Sequence, residues 1–152
     1  MTHEIEINFF NYCFLYILTF ERKVMTNMII RIIPVLIQVE TGSFKFPDEA
    51  IGTSGERGRL QIRQSVVDDV NRIYFNRKKY TLNDMRNPKI SGEVCFYYLN
   101  YYCNPKKLGR EPTFEDLARV WNGGPKGYKK SSTLKYWSRA KPLLQRYMRK
   151  KS

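Results

Sequence analysis

Glu40 stands where an apolar helical pattern runs into a glycine, in the stretch Ile37-Gln38-Val39-Glu40-Thr41-Gly42. A glutamate so placed is a candidate proton donor. Burial against apolar neighbours disfavours its charged form, and the negative end of the helix dipole acts in the same direction. By itself such a residue is more often an ordinary surface carboxylate near a helix end, so its company decides. Other chemistries have little to build on. His3 is the only histidine and lies in a poorly patterned leader, so a Cys–His or Ser–His nucleophile is not expected. Of the three cysteines, Cys95 and Cys103 fall eight apart in one expected helix. Their Cα atoms should then be about 12 Å apart, beyond disulfide reach. With Cys13 far away and no CxxC pair, a zinc site is not expected, nor is any other metal or organic cofactor.

The elements that must position Glu40 are readable from periodicity. Met28, Ile29, Ile32, Ile33, Leu36, Ile37 and Val39 form a broad apolar face, with Pro34 expected to kink that helix or start it. Gly42 should stop it just after Glu40-Thr41. Residues 43–62 are rich in Gly, Ser and Pro and read as a loop or small hairpin. A helix is predicted over about 65–76, with Val66, Val67, Val70, Ile73 and Tyr74 on one side, then a short helical turn from Thr81. Asn87-Pro88 should open a helix reaching Cys103, since proline is tolerated in a first turn. Thr113-x-x-Asp116 resembles a capping box and introduces a helix through Trp121, broken by Asn122-Gly123-Gly124-Pro125. A basic helix from about Ser132 closes the chain, with a kink expected at Pro142. The fold is therefore mainly α, a compact helical domain with a small β element.

Residues 1–26 read differently. Phe9–Phe20 is apolar but short for a membrane span, which needs roughly 20 such residues. Glu4 and Glu6 at its start, and no small-residue cleavage pattern, do not suit a secretory signal. A weak signal or anchor, an extra helix, and an extension upstream of a start at Met25 or Met28 rather than Met1 remain equal readings. The division expected is a leader at 1–26 and one domain at 27–152. The 152 residues fit one domain, and 42% hydrophobic with 27% charged residues excludes general disorder.

Three segments, in order, resemble the lysozyme-like superfamily, most of all the invertebrate-type (destabilase-like) lysozymes, with goose-type and lytic transglycosylase domains as relatives. Ile37-Gln38-Val39-Glu40-Thr41-Gly42 is similar to the helix-ending segment that bears the family's catalytic glutamate. Gly58-Arg59-Leu60-Gln61-Ile62 is similar to its cleft strand. Ala118-Arg119-Val120-Trp121-Asn122-Gly123-Gly124-Pro125-Lys126-Gly127, followed by Ser132-Thr133-Leu134-Lys135-Tyr136-Trp137, is similar to its long C-terminal motif. The resemblance implies an α+β lysozyme-like fold and cleavage of bacterial cell-wall peptidoglycan between N-acetylmuramic acid and N-acetylglucosamine. Glu40 would be the general acid that protonates the leaving oxygen. Gln61, Ile62, Asn122, Gly123 and Gly124 would hold the glycan, and Tyr128 and Tyr136 are candidates to stack on sugar rings, although core packing is the commoner use of such aromatics. A second carboxylate is drawn from Asp48, Glu49 and Glu56; Thr53 stands where the family's aspartate is expected. That departure leaves hydrolysis and an anhydro-forming transglycosylase reaction both open. Tyr128 also stands where a cysteine is common, so the secreted disulfide framework of many relatives is missing.

A formal net charge of +13 draws polyanions from a distance. From Lys106 to Lys151 only Glu111, Glu115 and Asp116 oppose the cations. An anionic wall suits this surface. A basic nucleic-acid-binding module is the alternative, through non-specific charge, and a non-catalytic peptidoglycan-binding module is another. A monomer without a stable membrane span is expected, secreted or delivered to a bacterial wall, or cytoplasmic if the leader is not a signal.

Overall fold

Apolar residues at helical spacing make one long helix, α1 (Thr2–Thr41), in the computed structural model of the chain. The structure describes the backbone from Thr2 to Lys151 and the side chains from Thr19 to Lys150; the side chains of His3, Cys13 and most of the Phe9–Phe20 run lie outside the described residues. No break marks the division expected at residue 26: the helix is continuous across it, and Met25 is already buried in the core. Thr19–Thr41 is long and apolar enough to cross a membrane by length and composition. Its inward face, however, is spent inside the domain, where Ile29, Ile32, Val35, Leu36 and Val39 are buried.

Pro34 neither starts nor ends α1. It lies inside the helix on an exposed face, as does Ile30, whose carbonyl loses its partner to the proline. Water can meet a carbonyl on that side, so the helix continues. Pro142, four residues after the exposed Ser138, is accommodated inside α6 in the same way.

The other α-helices are α2 (Gln64–Val70), which runs on as a π-turn over Asn71–Phe75, α3 (Pro88–Tyr102), α4 (Pro105–Leu108), α5 (Phe114–Gly123) and α6 (Leu134–Lys151), with short 3-10 turns between them. Asn87 opens α3 as expected, accepting from the N–H groups of Lys89 and Ile90. Thr113 and Asp116 form the capping box of α5. Buried Asn71 folds the chain back after the π-turn, donating to the Tyr80 carbonyl and accepting from the Lys79 and Tyr80 N–H groups.

The core lies where α3, α5 and α6 pack against the C-terminal half of α1, centred on Leu36, Val94, Cys95, Leu99, Leu117 and Val120. Cys95 and Cys103 are buried and unpaired. Helix α6 is antiparallel to α1: Tyr136 meets Glu40, Arg139 meets Val39, and Arg31 meets Met148. The mainly α architecture matches the sequence reading. The β element is smaller than a strand. Among the described residues it amounts to two isolated antiparallel bridges sharing Arg57, with Ile51 and with Ile62.

Candidate functional site

A cavity of about 600 Å³ opens where the end of α1, the 51–66 segment and the end of α5 meet. Glu40, Glu56, Gln61, Ile62 and Asn122–Gly124 all line it. Three stretches widely separated in the sequence thus converge on one cleft.

Glu40 is the penultimate residue of α1 and half-buried. Thr41 fixes the helix end beneath it, donating from its hydroxyl to the Arg59 carbonyl at 2.8 Å. Tyr136 donates its hydroxyl to Glu40 Oε1 at 2.8 Å, and Arg139 caps the adjacent carbonyl of Val39 at 2.8 Å. Burial raises the Glu40 carboxyl above the usual glutamate range; Tyr136, Arg139 and Arg63 offset that only in part, and Glu56 adds to the rise. The position at the carboxyl end of a helix acts in the same direction. Glu40 is therefore a carboxylic acid that keeps its proton to higher pH than an ordinary glutamate and faces open space.

Glu56 is the second carboxylate of the cleft and behaves oppositely. Its own backbone N–H, the Ser54 N–H at 3.0 Å and Arg63 Nε at 3.0 Å hold it below the ordinary range despite its burial. Glycine at position 52 makes this possible, since a Cβ there would lie 2.2 Å from Glu56 Oε2 and 2.6 Å from Gln61 Oε1. Thr53, in the aspartate's expected place, also lines the cavity. Asp48 and Glu49 do not reach it. Asp48 is held by Arg59 through paired contacts of 2.5 and 2.7 Å, and Glu49 pairs with Arg86.

The cleft strand expected at Gln61-Ile62 is instead a turn closed by a bridge. Arg57 and Ile62 exchange both backbone hydrogen bonds at 3.0 Å, and the residues between reverse the chain. Gln61 takes a positive φ of 49° and donates from both its backbone N–H and its side-chain Nε2 to the Gly58 carbonyl. Its Oε1 is left to face the cleft region near Gly52. Ile62 is fully buried, so its contribution is packing beneath the cleft rather than contact with a ligand.

Gly123 and Gly124 line the cavity and also end α5, the Gly124 N–H donating to the Val120 carbonyl at 2.9 Å. A Cβ on Gly123 would meet Thr133 Cγ2 at 2.4 Å, so this glycine lets α5 close onto the turn before α6. Gly124 has φ +81°, a conformation that favours glycine, and its Cβ direction is open. Tyr136 is too buried to stack on a ligand and acts on Glu40 instead. Tyr128 packs against the core and is not part of the lining.

The structure adds cleft residues to which the sequence reading gave no role in the site. Phe44 and Ile51 line the cleft and stay largely exposed, at 48% and 65%. Two large apolar side chains in a Gly/Ser-rich loop were a usable signal. Tyr98 and Trp121, packed edge to face at 6.0 Å, line it as well. Arg63 and Lys130 complete the charged lining. Lys130 donates to the Gly123 carbonyl at 2.6 Å, and its own carbonyl accepts from Arg119, which also holds Thr133.

No family model and no curated protein matches this chain. The cleft must therefore speak through its own chemistry. Among the described residues, no three His, Cys, Asp or Glu side chains gather into a metal-ligand set. The cleft holds one carboxyl raised by burial, one lowered by its hydrogen-bond donors, an amide side chain and exposed aromatic surface.

Proposed function

We propose that the chain is a lysozyme-like glycoside hydrolase that cuts bacterial peptidoglycan, at the β-1,4 bond between N-acetylmuramic acid and N-acetylglucosamine. The observation that carries this reading is two differently held glutamates lining one cleft: Glu40, half-buried at a helix end under the Tyr136 hydroxyl, and Glu56, held by the Ser54 N–H and Arg63, so that burial raises the first and hydrogen bonds lower the second. A glycosidic oxygen is a poor leaving group and needs a proton as its bond breaks, while positive charge grows on the sugar ring. Glu40 supplies the proton. Glu56, kept ionised, stabilises the developing charge. Gln61 Oε1 and the Asn122–Gly124 backbone orient the N-acetyl and hydroxyl groups, and Phe44 offers an apolar face to a sugar ring. The ordered likeness of the Glu40, Gln61 and Asn122 segments to lysozyme-like motifs supports the same assignment.

The test is digestion of purified peptidoglycan by the wild-type protein and by Glu40→Gln, with mass spectrometry of the soluble products. Muropeptides with reducing ends, released by the wild type alone, are expected. Anhydro ends would make it a lytic transglycosylase. No release by folded wild-type protein, on a wall that a control muramidase digests, would overturn the enzyme assignment in favour of a binding module.

A further inference from the structure

The charged side chains lining the cleft are Glu40, Glu56, Arg63 and Lys130. Glu56 is already engaged by Arg63, and Glu40 by the Tyr136 hydroxyl, so neither carboxyl is directed at Lys130. Glu56 occupies only Nε of Arg63, and among the described residues no hydrogen bond of the two Nη groups accompanies it; the Arg63 side chain is 65% exposed. Lys130 is exposed and anchored by a neutral carbonyl, that of Gly123. No carboxylate in the cleft answers it. Both cations are set by secondary contacts rather than left to wander: Arg63 by Glu56, and Lys130 by Gly123 and by the Arg119–Thr133 link across its turn. A planar guanidinium with its outer edge open is suited to paired hydrogen bonds with a carboxylate, and the ammonium to a single charged contact.

We propose that Arg63 and Lys130 form a carboxylate-recognising subsite that makes the cleft select an acid-bearing glycan over a neutral one. The inference rests on the glycan-cleaving reading of the cleft. Two sources present the required group. One is the lactyl carboxylate of muramic acid in strands stripped of peptide. The other is a free carboxylate of the stem peptide, where the lactyl group is tied up as an amide. The apolar exposed side chains Phe44 and Ile51 leave the sugar faces a separate place to rest, so the acid group need not compete for it.

The test measures binding in the Glu40→Gln background, which keeps the ligand intact and separates recognition from cleavage. Three probes are titrated calorimetrically: a neutral N-acetylglucosamine oligomer, a peptide-free alternating glycan with free lactyl carboxylates, and a stem-bearing glycan with free or amidated peptide carboxyls. The expected result is at least tenfold tighter binding of an acidic probe than of the neutral oligomer, weakening with added salt. Adding Arg63→Gln and Lys130→Gln should reduce that preference at least tenfold, and Arg63→Lys should restore part of it. Preference for the peptide-free glycan points to the lactyl group; preference for the unamidated stem points to the peptide. Equal affinity for neutral and acidic probes, or a preference untouched in the double variant, would overturn the subsite. Selective binding with no cleavage by the wild type would sink the hydrolase assignment and leave the subsite standing.

Discussion

Two regions of the cleft each deliver one glutamate, by different structural means. Glu40 rides the last turn of a long helix, which is rigid, apolar on its inner face and electrically negative at that end. Glu56 sits in an irregular segment whose backbone N–H groups turn inward and whose neighbour Arg63 is a cation. The helix offers its carboxyl burial and a single hydroxyl, from Tyr136. The loop offers its carboxyl donors. The same side chain is thus pushed up in one place and held down in the other, and the distinction comes from what each element can point at it.

The largest effect should come from removing the acid. Glu40→Gln should lower kcat for peptidoglycan by about 10²–10⁴-fold, the usual worth of a positioned general acid. Glu56→Gln should cost less, about 10–100-fold, because charge stabilisation is shared with other polar groups. Gly52→Ala should mimic it, since the new methyl displaces both the Glu56 carboxylate and the Gln61 amide. Steady-state kinetics on the three proteins decide the matter. An equal loss for Glu40→Gln and Glu56→Gln would break the asymmetry between the two regions.

This division was only half legible in the sequence. The end of α1 was readable because the apolar period of the helix and Gly42 bracket Glu40, and both are local signals. The capping box at Thr113 and Asp116 and the Asn87 opening of α3 are local in the same way. The 43–62 segment obeys no period, so the choice among Asp48, Glu49 and Glu56 needed tertiary partners: Arg59 and Arg86 take the first two away from the cleft. The strand reading of Gln61 failed because the turn after Gly58 overrides the alternation of Leu60-Gln61-Ile62. Tyr136 was visible as an aromatic, but its contact with Glu40 spans 96 positions and depends on the antiparallel packing of α6 on α1.

That contact gives a smaller and more directed prediction. Tyr136 favours the ionised form of Glu40, working against burial. Tyr136→Phe keeps the ring and removes the donor, so the Glu40 carboxyl should rise further. The basic limb of the kcat/KM profile against pH, where the acid is lost by deprotonation, should then move to higher pH. A profile shifted the other way, or unmoved, would mean that Glu40 is not the group whose ionisation closes activity.

The smallest effects are on stability, where two carboxyls should give opposite signs. Glu40 is raised in the folded state, so folding favours its protonated form. That contribution is intact below the ordinary glutamate range and is lost as pH climbs through the raised value. Glu40→Gln, neutral throughout, should be more stable than the wild type at neutral pH, with the difference fading in acid. Asp116 is the counterpart. Burial alone would raise it, but Arg110 at 2.7 and 2.8 Å and the Thr113 hydroxyl and N–H hold it low. Its contribution is present above the ordinary aspartate range and lost as pH falls through the depressed value. Asp116→Asn should therefore cost about 1 kcal/mol at neutral pH, modest because Arg110 is half exposed, and the gap should close on acidification. Urea unfolding of both variants at neutral and acid pH reads the two signs. Opposite signs at neutral pH, converging in acid, are what separate a carboxyl whose protonated form folding favours from one whose ionised form folding favours.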